Sequence, residues 1–143
     1  MYDQWRDTVA DPTRAAAVSG TLKLAIVTAT YTPDQNLHGF FNDITNEVTG
    51  TGYTAGGNAC ATPTWSGPDG SGVLTFDASD PATWSQNAAG FSNGRRAILY
   101  YDTGVSTTSR LVGYSNDFGA DSGNVAGDFS VTFNASGIYT SSR

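Results

Sequence analysis

The chain has 143 residues, one domain by length and long enough to bury roughly 70% of the surface its unfolded form would expose, so a core can form without staples. Its formal charge of −6 and pI near 4.3 argue against a nucleic-acid surface, which needs clustered Lys and Arg; Arg95 and Arg96 make one small basic step. Glu47 is the only glutamate and Lys23 the only lysine, while Thr, Ser, Asn, Asp and Gly fill the polar positions, a composition poor in helix formers and rich in strand and turn formers.

Residues 2 to 18 form the best helical segment, with Tyr2, Trp5 and Val9 spaced to line one side, and Asp11-Pro12 reads as an N-cap followed by proline at the first position of a second short turn. Asp3 and Asp7 stand where a signal peptide would be positive and then apolar, and no apolar run approaches the roughly 18 residues of a membrane span. The chain is therefore expected to be made and kept in the cytosol. From Thr21 the period changes to two: Leu22, Leu24 and Ile26 share one face, Lys23, Ala25 and Val27 the other, and the strand is expected to end near Thr32 and Pro33. Phe40, Ile44 and Val48 recur every fourth residue, which predicts one to two helical turns capped by Asn42 or Asp43 and stopped at Gly50. The stretch around Tyr53, from Thr49 to Ala59, offers little to pack and reads as a loop.

Ala59 to Ser66 is a candidate strand weakened by Pro63, which has no N–H for a ladder. Gly67-Pro68-Asp69-Gly70 is a turn, Val73 to Phe76 the next strand, Asp77 to Pro81 a turn again, and Ala82 to Gln86 a return strand centred on Trp84. Ala97 to Tyr101 is an unbroken apolar run, suited to a strand covered on both faces; Leu111, Val112 and Tyr114 answer it across a polar connection expected to be exposed. Phe129, Val131 and Phe133 against Ser130, Thr132 and Asn134 is the clearest alternation in the chain. These elements predict an all-β domain: an antiparallel β-sandwich or jelly-roll-like barrel of about seven strands over residues 20 to 143, preceded by an N-terminal helical arm over residues 1 to 19.

Several residues invite a chemical reading. Gly90-Phe91-Ser92-Asn93-Gly94 matches the nucleophile-elbow pattern, but the elbow needs a helix after the serine where Arg95 to Tyr101 reads as strand, and the only histidine, His38, lies upstream. Cys60 stands alone, so it forms no internal disulfide and reads as a small buried or half-buried side chain; no spacing rule pairs it with His38. Asp117, Asp121, Asn124 and Asp128 supply oxygen ligands for Ca²⁺ but depart from EF-hand spacing and are also turn formers. Asp77 and Asp80 beside Trp84 have the outline of a sugar site, but two aspartates at a turn are far more often just a turn. Asn134-Ala135-Ser136 fits a glycosylation sequon that a cytosolic chain would not expose to the machinery. No catalytic residue, metal or cofactor is assigned.

The ordered phrases Phe40 to Gly57, Thr83 to Ser92, RRAILYYDTG with SRLVGY, and Asp117 to Thr140, together with LKLAIVTATYTP after the opening helix, resemble small structural proteins of tailed bacteriophages, most closely capsid decoration (cement) proteins. The resemblance covers nearly the whole chain. It implies a non-enzymatic virion protein on the outer capsid surface, with the major capsid protein as partner, a closed homotrimer at local three-fold positions, and no nucleic-acid or membrane partner. A protein that binds only the assembled shell stabilises it by mass action, so it needs contact area and no active site. Tyr2, Trp5, Arg6, Val9 and Arg14 are the candidate capsid or subunit contacts, since aromatic and Arg anchors concentrate interface energy; the same segment has a second use, packing on its own domain. Such small β proteins also serve as tail, baseplate or head-spike accessories, where Tyr53, Trp65 or Trp84 would stack on a receptor sugar.

Overall fold

The computed structural model describes residues 20–67 and 72–142. Seven strands follow in order: β1 (Thr21–Val27), β2 (Asn58–Ala59), β3 (Thr64–Ser66), β4 (Val73–Asp77), β5 (Arg96–Asp102), β6 (Leu111–Tyr114) and β7 (Tyr139–Ser142). They form two antiparallel sheets, one ordered β2-β1-β5-β6 and the other β3-β4-β7. The domain is all-β, a sandwich of two sheets on one core. The expected N-terminal helical segment, and Pro68 to Gly70 of the expected GPDG turn, fall outside the described residues.

β1 and β5 make the longest pairing, in register from Thr21 with Asp102 to Val27 with Arg96. Because strand side chains alternate, Leu22, Leu24 and Ile26 meet Ala97, Leu99 and Tyr101 on the inner face, where Phe76 of β4 closes the core with Trp84, Phe91, Val48 and Cys60 from loops. Ala25, Val27, Ile98, Tyr100 and Leu111 turn to the other face, covered by Tyr31, Phe41, Ile44 and Tyr114. The larger sheet is thus buried on both sides, as the unbroken Ala97–Tyr101 run requires. Each large apolar side chain so buried contributes about 1.5–3 kcal/mol, which makes the β1–β5 pair the organising centre. Lys23 Nζ closes the outer end, 2.8 Å from Asp102 Oδ2, and this contact with the Gly104 N–H holds the Asp102 carboxyl below its usual range.

Five local expectations are corrected. The helix over Phe40 to Val48 reduces to a single 3-10 turn, Phe41–Asp43, because Asp43 Oδ2 accepts the Gly39 and Phe40 N–H groups while Glu47 bridges to Val27 at the end of β1. The fourfold spacing still serves burial, since Ile44 packs on the outer cluster and Val48 enters the inner core. β1 ends at Val27, short of Thr32, where Thr28 N–H turns to the Asn46 carbonyl. Ala59 to Ser66 is two strands in different sheets, broken around Pro63, with Thr62 at a φ of 49°. Phe129 to Phe133 and Ala82 to Gln86 are not strands; they share one isolated bridge, Trp84 with Phe129. The alternation there is real in burial, with Phe129, Val131 and Phe133 packed on the core and Ser130, Thr132 and Asn134 exposed, but the backbone lacks a ladder partner.

Candidate functional site

The polar residues singled out from sequence fold inward onto backbone. Asn124 is fully buried: its Oδ1 accepts the Phe91 N–H at 2.9 Å, and its Nδ2 donates to the carbonyls of Ser85 at 2.9 Å and Thr51 at 3.3 Å. One amide side chain therefore ties three loops, and Gly90 has no side chain because a Cβ there would collide with the Asn124 carboxamide. Asp128 Oδ1 accepts the Gln86 N–H at 2.7 Å, and Asp80 Oδ1 the Phe133 N–H at 2.7 Å. Asp77 Oδ1 accepts the Ala78 N–H, and Asn134 Oδ1 the Ser136 N–H.

Asp117 and Asp121 converge on Arg95, not on a shared cation site. Arg95 donates to Asp117 Oδ1 through Nε at 2.9 Å and a terminal nitrogen at 2.7 Å, Arg96 lies 3.3 Å from Asp117 Oδ2, and Asp121 lies 3.4 Å from Arg95. The Gly119 N–H and then Arg95 hold the Asp117 carboxyl below its usual range, and the same pairing raises Arg95. Asn124 is drawn away into the core, so the four candidate oxygen ligands do not meet. Among the described residues no group of three His, Cys, Asp or Glu side chains is placed to hold a metal ion.

Ser92 is exposed, with the bridge from Gly94 to Ser122 and then β5 following it, where an elbow would have a helix. His38 serves the outer face: the Tyr31 hydroxyl lies 2.9 Å from Nδ1, the Asp34 N–H donates to the same nitrogen at 3.2 Å, and the His38 and Tyr31 rings stack at 5.5 Å. Cys60 lies in the inner core, on the opposite side of the sheet from Tyr31. Burial pushes its thiol up to about 12, with Asp80 adding to the effect. Its side chain is buried, within the buried or half-buried range expected of a lone cysteine.

The loop around Tyr53 is packed, contrary to the sparse appearance of its sequence. The Tyr53 hydroxyl donates to Glu47 Oε1 at 2.6 Å and accepts the Ile26 N–H at 3.0 Å, and its ring stacks on Trp84 at 6.0 Å. Glu47 Oε1 also accepts the Gly56 N–H, and the Tyr100 hydroxyl donates to the Gly56 carbonyl at 2.8 Å. Burial first, then the Glu47 charge, raises the Tyr53 phenol far above its ordinary value; burial and Asp102 do the same to Tyr100. Trp84 is 1% exposed, so its faces are closed to a sugar, and Trp65 is half-buried against Phe76 at 4.7 Å. The anchoring roles of Glu47 and Asn124 had no sequence signal, because each depends on a partner more than twenty residues away or on a turn that only the fold closes.

Among the described residues there is a groove of about 340 Å³ between the β5–β6 side of the larger sheet and residues 131–139. Leu24, Leu99 and Val112 line one side, Val131, Phe133 and Ile138 the other, and no charged side chain borders it. A bulge in β6 borders it. Leu99 pairs with Gly113 and Tyr100 with Leu111, so Val112 is an extra residue on the inner face. A Cβ placed on Gly113 meets nothing within 4 Å. The expected contacts Tyr2, Trp5, Arg6, Val9 and Arg14 lie outside the described residues. No family model, curated protein or solved structure matches the chain.

Proposed function

We propose that this chain is a non-enzymatic structural protein of a tailed-phage virion that binds the outer capsid surface and stabilises the head as a decoration protein. Its partners in this reading are the major capsid protein and further copies of itself in a closed trimer. The observation that supports it is the use of the polar residues as loop clamps. Asp34, Asp43, Glu47, Asp80, Asn124 and Asp128 each accept backbone N–H groups, so the long connections of a small sandwich become a fixed outer surface. A protein that acts by contact area gains from such rigidity, since ordering loops on binding costs free energy. The sequence resemblance supplies the partner, and the segment bearing Tyr2, Trp5, Arg6, Val9 and Arg14 supplies the anchor.

The test is the location of the full chain in particles of the phage that encodes it, by labelled antibody in electron micrographs. Labelling spread over the heads, with heads that burst at lower temperature when the protein is omitted and recover when it is added back, is the expected result. Labelling confined to tails, or heads indifferent to its omission, overturns the proposal. Removal of residues 1–19 is expected to abolish head binding, with the β-sheet circular dichroism of the remaining domain as the control for folding.

A further inference from the structure

We propose that Asn93 is a self-modifying residue: its side-chain amide is lost to attack by the Gly94 nitrogen, at a rate set by opening of the bridge between Gly94 and Ser122. Asn93-Gly94 is the one Asn-Gly pair in the chain, and it lies in the Gly90 to Gly94 motif that no hydrolase chemistry uses. Asparagine is among the thermolabile residues, and a following glycine has no Cβ to hinder the approach of its nitrogen. Asn93 is exposed, whereas Gly94 is buried. A Cβ on Gly94 would lie 2.7 Å from Ile26 Cγ2 and 3.0 Å from the Ser122 carbonyl oxygen, so packing on β1 disfavours any larger residue there. The core thereby dictates the glycine, and the surface asparagine before it acquires a reactive neighbour.

The step balances with water as the only co-reactant. The Gly94 nitrogen forms a bond to Asn93 Cγ, the Cγ–Nδ2 bond breaks, and Nδ2 leaves as ammonia with the proton that the Gly94 nitrogen gives up. Water then opens the cyclic imide. Cleavage between Cγ and the nitrogen yields aspartate, and cleavage at the Asn93 main-chain carbonyl yields isoaspartate, which lengthens the main chain just before β5. In the folded chain the attacking nitrogen is engaged: the Gly94 N–H donates to the Ser122 carbonyl at 2.8 Å, and the Gly94 carbonyl accepts the Ser122 N–H at 2.9 Å. Both flanks are held as well, since the Arg95 N–H donates to the Val27 carbonyl at 2.8 Å and the Phe91 N–H to Asn124 Oδ1 at 2.9 Å. Attack requires the Gly94 N–H to leave Ser122 and its peptide plane to turn toward Cγ, so conversion proceeds through a local opening and is slowed by the equilibrium constant of that opening. Aspartate fits the exposed position, whereas isoaspartate displaces Gly94 and Arg95 from Ser122 and Val27.

This inference goes beyond the virion reading and does not depend on it. The experiment incubates the full chain in mildly alkaline buffer, folded and in urea, and follows the peptide that contains Asn93 by mass spectrometry; hydrogen exchange of the Gly94 N–H is measured on the folded chain. In urea, Asn93 converts ahead of every other asparagine. In the folded chain it converts slower by about tenfold or more, and the slowing matches the exchange protection of the Gly94 N–H to within about tenfold, since one opening exposes both. Asn124→Ala, which frees the Phe91 N–H, raises the folded rate by about tenfold or more and leaves the rate in urea unchanged. Where that variant does not fold, the match between slowing and exchange protection decides alone. Equal rates in the folded chain and in urea overturn the proposal, as does another asparagine reacting first in urea. So does a slowing that departs from the exchange protection, or a folded rate that a folded Asn124→Ala variant leaves unchanged.

Discussion

Replacing Asn124 by alanine tests whether one buried amide holds the loop side of the sandwich. The substitution deletes three hydrogen bonds, to Phe91 N–H and to the carbonyls of Ser85 and Thr51, at a site with no access to water. Each bond contributes about 1 kcal/mol net, and the orphaned Phe91 N–H adds about 1–3 kcal/mol, so the loss is about 4–6 kcal/mol. That is a large part of the roughly 5–15 kcal/mol that a domain possesses, and it lowers Tm by about 10 °C or more. Asn124→Asp sharpens the test. It keeps an acceptor for Phe91 N–H but turns a second oxygen toward two carbonyls and buries an unpaired charge, so at neutral pH it is at least as destabilising as alanine. Burial favours the protonated carboxyl, which can donate to one carbonyl, so this variant regains stability as pH falls while the alanine variant does not. Urea denaturation of the three proteins across pH reads these differences. An alanine variant within about 1 kcal/mol of wild type refutes the clamp.

Tyr53, Tyr100 and Tyr101 all have phenols raised by burial, so the folded chain keeps their protons where an unfolded chain releases them, near pH 10. Stability is therefore full below that pH and falls as pH rises above it. Ultraviolet phenolate absorbance is expected to show these three ionising only as circular dichroism is lost, and their titration near the ordinary value in a folded chain would count against the packing around Glu47. Cys60, with its thiol pushed up to about 12, stays protonated at neutral pH and is expected to resist alkylation until urea unfolds the chain; rapid labelling of the native protein contradicts its place in the core.

The legibility of this fold follows the range of the interactions. Leu22 to Val27 and Ala97 to Tyr101 read as strands because burial on one face or two writes a period into neighbouring residues, and that period needs no knowledge of the partner. Phe129 to Phe133 shows the limit of the same rule. Its alternation correctly assigns inward and outward side chains, yet a strand also requires a backbone partner, and the segment has only the bridge to Trp84. Phe40, Ile44 and Val48 show a period that two different clusters exploit without a helix, because Asp43 captures the first turn and Glu47 draws the chain to β1.

By itself the sequence determined the all-β class, the β1 and β5 strands, the hairpin partner β6 of β5, and the burial of Cys60, since these depend on composition and local alternation. Tertiary structure alone decided that Asn124 is a clamp and not a calcium ligand, that Glu47 anchors the Tyr53 loop, and that Gly113 sits on a bulge above open space. Each of these is set by a partner distant along the chain or by a turn that only the fold closes, and the free energy of a hydrogen bond or a groove belongs to the pair that makes it.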